Sequence, residues 1–113
     1  MAAVYTSNLV VNTGTTFNQT FELENSDSSS SLDLTGYSVF SQMRKHAAAT
    51  GVTTFTSSIV NAATGKIKVG LSSATTTSIK PGRYGYDVLL TDGVGTVTRV
   101  VEGSVLVRAG VTK

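Results

Sequence analysis

The sequence predicts an all-β fold, a single antiparallel β-sandwich of about seven strands that spans residues 1–113. Composition is the first reason, because 18 Thr and 14 Ser stand among the 113 residues while charged residues make up only 14%. Thr suits half-exposed strands, whereas helical surfaces favour Glu, Lys and Ala. Alternation with period two, broken by turn residues roughly every 8–12 positions, is the second reason. The length suits one small domain.

The strand signal is clearest where apolar and polar residues alternate. In 66–71, Ile67, Val69 and Leu71 share one face of the strand. In 97–107 the apolar parity is mixed around Glu102-Gly103, which predicts a β-bulge. The predicted strands are 7–11, 15–24, 37–44, 52–60, 66–71, 83–91 and 97–107.

Turn and cap signals separate these strands. Residues 33–36, Asp-Leu-Thr-Gly, predict an Asx-type turn in which the aspartate side chain binds the backbone. Residues 72–79 predict one helical turn with Ser72 or Ser73 as N-cap. The Asp-Gly pair at 92–93 is typical of a hairpin turn. Loops or turns are also predicted at 25–31, 46–51 and 61–65.

The inward faces of the predicted strands define an expected core. Three aromatic residues do not fall on the inward positions of the strand alternation and are the candidates for exposed rings: Tyr5, Phe40 and Phe55. The expected core residues are Phe17, Phe21, Leu34, Val39, Met43, Ile67, Val69, Leu71, Tyr84, Tyr86, Val88 and Leu90.

The sequence offers little for catalysis, metal binding or cofactor binding. It contains no Cys, which excludes disulfides, thiolate metal sites and thiol nucleophiles. His46 is the one histidine, and it follows Lys45 at the end of a polar strand, where we expect it to be exposed. Asp27 and Asp33 lack the Gly and Glu of a calcium loop. Carboxylate pairs as in glycoside hydrolases can be drawn from Glu22, Glu24, Asp87 and Glu102, but any β domain supplies such pairs by chance. We therefore expect no enzyme, no metal and no cofactor.

Neither secretion nor membrane insertion is predicted. Residues 1–5 have no basic region and no apolar region of a signal peptide. The longest strongly apolar runs are three residues, far below the roughly 18 that a membrane span needs.

Charge is distributed unevenly along the chain. Residues 1–43 carry four acidic and no basic side chains, a net of −4, and residues 44–113 carry nine basic and three acidic ones, a net of +6. Either the two halves interleave and their charges mix over the surface, or one face is complementary to a partner or another copy. Nucleic-acid binding is not expected, because the basic residues are spread out and the tyrosines lie mostly in the core parity.

Four stretches of the sequence together resemble a known family. They are TTFNQTFELE at 15–24, LDLTGYSVFSQMR at 32–44, PGRYGYDVLLTDG at 81–93 and VVEGSVLV at 100–107. Over about 15–107 the chain resembles a small immunoglobulin-like domain of tailed-phage virion proteins, of which the N-terminal domain of upper-baseplate proteins is the best-described relative. Closely similar sequences are found among structural proteins of phages that infect cyanobacteria. The resemblance implies an immunoglobulin-like sandwich in which a Tyr hydroxyl ties a corner after Pro81-Gly82.

The function that the resemblance implies is a non-enzymatic structural component of a virion, made in the host cytoplasm. It would dock through strand edges, termini and loops, either on the capsid as a decoration or cement protein or on the tail or baseplate as an adaptor. The expected partners are other virion proteins, a homo-oligomer is compatible with this role, and no membrane partner is expected. The alternative is a module that recognises a host-surface glycan or receptor. A bacterial adhesin or pilin-like subunit is a weaker third class, because it needs secretion and residues 1–5 supply no signal for it. The candidate docking residues, chosen from exposure alone, are Tyr5, Arg44, Lys45, Lys66, Lys68, Arg99 and Arg108, with candidate docking arms at 1–5 and 109–113.

Overall fold

The computed structural model describes residues 5–23, 33–46 and 49–111, which form nine strands and one short helix. The prediction of an all-β sandwich is confirmed. No helix among the described residues is long and apolar enough to cross a membrane. The strands are β1 Tyr5–Thr6, β2 Leu9–Asn12, β3 Phe17–Glu22, β4 Ser38–Arg44, β5 Thr53–Thr54, β6 Thr56–Asn61, β7 Lys66–Leu71, β8 Gly82–Thr91 and β9 Val97–Arg108, and the helix α1 is Ser73–Thr77.

The larger sheet has the strand order β1-β9-β8-β4-β5, and β2 also pairs with β9. Strands β4, β5, β8 and β9 pair antiparallel, as predicted. Strands β1 and β2 instead run parallel to β9, with Tyr5 opposite Val101 and Leu9 opposite Val105. This sheet is therefore mixed. The sequence could not show this, because parallel pairing joins segments that are distant in the chain and leaves no hairpin signal.

The smaller sheet has the order β3-β7-β6 and is antiparallel throughout. Only Phe55 separates β6 from β5 of the other sheet, and its N–H donates to the carbonyl oxygen of Ser41 at 2.9 Å. The chain thus crosses between sheets in the middle of segment 52–60, which the sequence predicted as one strand. Because the crossing points the Phe55 ring inward, where it is 2% exposed, the expectation of an exposed ring there is wrong.

A row of aromatic rings crosses the core between the sheets. The ring centroids of Phe17 and Phe55 lie 6.2 Å apart, and those of Phe55 and Tyr86 lie 6.1 Å apart in an edge-on arrangement. Each such pair contributes about 0.5–1.5 kcal/mol beyond the area it buries. The predicted core is confirmed: Leu34, Met43, Ile67, Val69, Leu71, Tyr86, Val88 and Leu90 are buried, and Phe17, Phe21, Val39 and Tyr84 are half-buried against them.

The predicted bulge in the last strand exists, but it lies earlier than expected. Val88 pairs with Val101 and Leu89 with Arg99, so Val100 is the extra residue of β9. As a result Val100 and Val101 are both fully buried, which produces the mixed parity seen in the sequence.

The local turn chemistry follows the sequence with one exception. The Asp33 carboxylate accepts from the N–H and the hydroxyl of Thr35 at 3.0 and 2.7 Å, and Ser72 caps α1 by accepting from the N–H of Thr75. At the β8–β9 connection the Asp92 carboxylate accepts from two N–H groups of a longer loop, and the positive φ of 92° belongs to Gly95. The turn is therefore wider than a two-residue Asp-Gly turn.

Two tyrosine hydroxyls tie the chain together at strand β8. Tyr84 donates to the carbonyl oxygen of Lys80 at 2.6 Å, which is the corner that the resemblance implies. Tyr86 donates to the carbonyl oxygen of Ser7 at 2.7 Å and so holds the break between β1 and β2. At this break the backbone of Ser7 lies directly on Gly103, and the Asn8 side chain accepts from the N–H and hydroxyl of Ser104.

Candidate functional site

The candidate site is the solvent-facing side of the larger sheet, called the outer face below. On β8 the inward positions are filled by core residues, so Arg83, Gly85, Asp87, Leu89 and Thr91 point outward. Three rows of cross-strand neighbours on β4, β8 and β9 make up its middle: Phe40, Leu89 and Arg99; Gln42, Asp87 and Glu102; and Arg44, Gly85 and Ser104.

A shallow open groove of about 540 Å³ runs over these rows. Gly85 has no side chain, which leaves space between Arg44 on one neighbouring strand and Ser104 on the other. The polar groups that line the groove come from β4, β8 and β9 and from the bend that follows β4. They are Gln42, Arg44, His46, Asp87, Arg99 and Glu102.

Arg44 is held in place by its surroundings. It is half-buried, and its Nη1 donates to the carbonyl oxygen of Ala49 at 2.8 Å. Its Nη2 lies 3.4 Å from Oε1 of Gln42, whose own Nε2 donates to the hydroxyl of Thr54 at 3.2 Å. A guanidinium has five N–H donors, so these contacts orient it while leaving donors for a partner.

The charges on β8 and β9 are only partly balanced. Nε of Arg99 donates to Oδ2 of Asp87 at 3.2 Å, with both side chains more than a third exposed. Asp87 also lies directly opposite Glu102, so two carboxylates are cross-strand neighbours. Among the described residues no cation lies within ion-pair distance of Glu102. Like charges in opposite positions of a sheet repel, which leaves the Glu102 carboxylate available to a cationic or hydrogen-bonding partner.

The outer face has the groups for surface recognition, and no catalytic arrangement is visible among the described residues. No side-chain hydrogen bond there joins His46 to a hydroxyl or a carboxylate. No group of three or more potential metal ligands occurs in the described part of the chain. Guanidinium, amide and carboxylate groups around an open groove can bind charged side chains or hydroxyl groups.

The structure places two of the seven candidate docking residues in the groove. Arg44 and Arg99 line the same groove on the outer face. Lys66 and Lys68 lie on β7 in the smaller sheet, on the opposite side of the sandwich. Arg108 is exposed at the end of β9, opposite Asn12.

The other two candidate residues are engaged with the fold. The ammonium of Lys45 lies 4.9 Å from the ring centre of Tyr84, beside a second open cavity of about 550 Å³ at the end of the sandwich. Tyr5, which was expected to belong to an arm outside the strands, is part of β1 and packs half-buried against the core. Residues 1–4 and 112–113 of the candidate arms lie outside the described residues, while the N–H of Gly110 donates to the hydroxyl of Thr13 at 3.0 Å.

Sequence reasoning missed Gln42, Asp87 and Glu102 as members of the site. The signal for Asp87 was present, since it stands at an outward position between Tyr86 and Val88. What the sequence lacks is the register that aligns these three residues across β4, β8 and β9.

The two oppositely charged halves of the chain interleave in the fold. Strands β1 and β2 pair with β9, β3 pairs with β7, and β4 pairs with β8. Glu22 lies directly opposite Lys66 as one result. Of the two interpretations of the uneven charge, the structure therefore agrees with mixing over the surface.

The strand order of the two sheets defines an immunoglobulin-like β-sandwich. Strands β3, β7 and β6 form one layer, and β4, β8 and β9 form the middle of the other. No family model matches the chain, and no curated protein matches it.

Comparison with solved structures matches this chain to parts of several bacterial proteins. A mutant of the SrpA adhesin from Streptococcus sanguinis has a TM-score of 0.53 at 11% identity, over 96% of this chain and 57% of that chain. An internalin-like protein of Listeria monocytogenes has a TM-score of 0.45 at 13% identity, over 95% of this chain and 28% of that chain. A family 123 glycoside hydrolase from Clostridium perfringens has a TM-score of 0.46 at 13% identity, over 96% of this chain and 23% of that chain. This chain thus spans just over half of the adhesin chain and about a quarter of the other two, and the likeness to the adhesin is one of fold alone.

Proposed function

We propose that this protein is a non-enzymatic structural component of a tailed-phage virion, which docks on the capsid or on the tail or baseplate through its outer face. The observation that carries the docking role is the open groove with the ordered side chain of Arg44, which is held by Ala49 and Gln42, and with Arg99 paired to Asp87 beside it. Side chains that are already ordered lose less conformational entropy on binding, so such a surface is prepared for a partner.

The sequence stretches at 15–24, 32–44, 81–93 and 100–107 support the virion as the place of action, because they resemble immunoglobulin-like virion domains. They also fall on the scaffold of the fold: they contain β3, β4, β8 and most of β9. A shared scaffold leaves the docking surface free to differ between relatives.

A paired substitution tests the docking surface. Particles are assembled with the variant Arg44→Gln/Arg99→Gln, and the protein is quantified relative to the major capsid protein in purified virions. We expect incorporation to fall about tenfold or more, because two charge-assisted contacts to a neighbour are lost.

The matched control is Lys66→Gln/Lys68→Gln, which removes the same charge from the opposite sheet and should be incorporated like the wild type. Thermal unfolding of both purified variants shows that each is folded. Equal incorporation of the two variants, or loss of the Lys66/Lys68 variant alone, would rule out the outer face as the docking surface.

Recognition of a host-surface glycan is a second candidate function, favoured by the chemistry of the groove. Amide, carboxylate and guanidinium groups at Gln42, Asp87 and Arg44 are suitable partners for sugar hydroxyls, and a volume of about 540 Å³ lies in the range of small-ligand sites. A glycan array probed with wild type and with Arg44→Gln/Arg99→Gln tests it. Binding by the wild type that the double variant loses supports recognition, and a silent array at high protein concentration contradicts it.

A further inference from the structure

The strands at the sheet edges differ in how well they are protected from pairing with another chain. Edge strands offer unpaired N–H and C=O groups, and proteins usually shorten, break or charge them. Strand β5 has only two residues, and β1 and β2 are interrupted at Ser7–Asn8. Strand β3 is six residues long and ends at a charged residue, Glu22.

Strand β6 is neither short nor charged, and its one irregularity lies near its end, at Val60. It is six residues long, and among the described residues it pairs on one side only, with β7. No charged residue and no proline occurs in segment 47–65, which contains it. In an antiparallel ladder every second residue directs its backbone groups to the far side, so β6 offers free donors and acceptors over its regular part, from Thr56 to Ile59. Uncharged, proline-free segments of six or seven residues are those that pair most readily.

The same edge also exposes apolar surface. Ile59 packs against the core but is only half-buried, and Val60 is 55% exposed beside the irregularity in the β6–β7 ladder. A strand added at this edge would cover part of this apolar surface.

We propose that β6 pairs antiparallel with β6 of a second copy of this chain, which joins the two smaller sheets into one of six strands. A twofold axis places like residues near each other, and β6 tolerates this because it carries no charge to repel its copy. The cations on the neighbouring strand β7, Lys66 and Lys68, lie at least three strand spacings from those of the second copy, about 14 Å. This separation exceeds the Debye length of about 8 Å at physiological salt, so these charges are screened. The inference does not depend on the proposed virion role.

A substitution at the exposed position Ser58 separates self-pairing from folding. Ser58 lies directly opposite Lys68, so Ser58→Glu adds a favourable pair within the monomer and places two carboxylates near the twofold axis of the dimer. The matched control is Thr20→Glu, since Thr20 is the exposed neighbour of Lys68 on its other side, on β3.

Sedimentation over a concentration series measures self-association of the 113-residue chain of 11.7 kDa. We expect a reversible wild-type dimer, an unchanged dimer for Thr20→Glu, and self-association about fivefold weaker or more for Ser58→Glu. Thermal unfolding confirms that both variants are folded. A wild type that stays monomeric at its highest soluble concentration overturns the proposal, even if it binds a foreign extended peptide. So does a dimer that both variants weaken equally.

Discussion

At the scale of single residues, Gly103 is the glycine position with the least space for a side chain. A Cβ at this position would overlap the carbonyl oxygen and carbon of Ser7, which belong to backbone and cannot move aside. We expect Gly103→Ala to lower the free energy of unfolding by about 1–3 kcal/mol, as overpacking does in a filled core. Urea unfolding measures this change.

Gly85 on the neighbouring strand supplies the control for this prediction. A Cβ there would find its nearest neighbour, the carbonyl oxygen of Arg44, at 4.0 Å, which is an ordinary contact. Gly85→Ala should therefore leave stability nearly unchanged. Similar losses for both variants would show that Gly103 is not a point of close approach.

Tyr86 provides a second test at this scale. Tyr86→Phe leaves the Ser7 carbonyl without its partner in a part-buried place, which we expect to cost about 1–3 kcal/mol at neutral pH. Burial raises the pKa of the Tyr86 hydroxyl above its usual value of 10.0. The folded state therefore holds this proton more tightly than the unfolded state, so the hydroxyl's contribution is complete below pH 10 and declines above it.

The measurement is chemical unfolding of wild type and Tyr86→Phe between pH 7 and alkaline pH. The difference between the two proteins should be constant up to about pH 10 and then narrow. A difference that grows above pH 10 would have the wrong sign for a raised pKa. Tyr84→Phe serves as a control, because the bond from Tyr84 to Lys80 is exposed and water can replace it.

At the scale of the strands, the pairing of β8 with β9 contains an unfavourable contact. Glu102 lies directly opposite Asp87, and we expect Glu102→Thr to raise the free energy of unfolding by about 0.2–1 kcal/mol. Glu22 is the control with the opposite sign: it faces Lys66, so Glu22→Thr should lower stability by a similar amount. Thermal unfolding at low salt compares them, and destabilisation by both substitutions would contradict the register of β8 and β9.

How far the strands could be predicted from sequence depended on where their partners lie. Alternation in 66–71 and 83–91 correctly predicted both strands and their buried faces, because one face of each packs on the core. The crossing at Phe55 could not be predicted, since no Gly or Pro interrupts the segment from Thr53 to Asn61 and only the two different partners divide it. The bulge at Val100 was visible as mixed parity, but its position depends on the register with Val88 and Leu89.

At the scale of the whole molecule, the position of a charge in the sequence says little about its position on the surface. The acidic first part and the basic remainder interleave strand by strand, so the uneven charge of the sequence is mixed in the fold. For the same reason the seven candidate docking residues are spread over both sheets and the end of the sandwich, and only Arg44 and Arg99 share a groove. The outer face depends on the register of β4, β8 and β9, which the sequence alone does not give.

The most direct test of the proposed role is immunogold labelling of intact virions with antibody raised against the recombinant protein. We expect gold on the particle. Label spread over the head would identify a capsid decoration protein, and label confined to the tail end would identify a tail or baseplate adaptor. If neither intact nor gently opened particles bind gold, the proposal of a virion component is wrong.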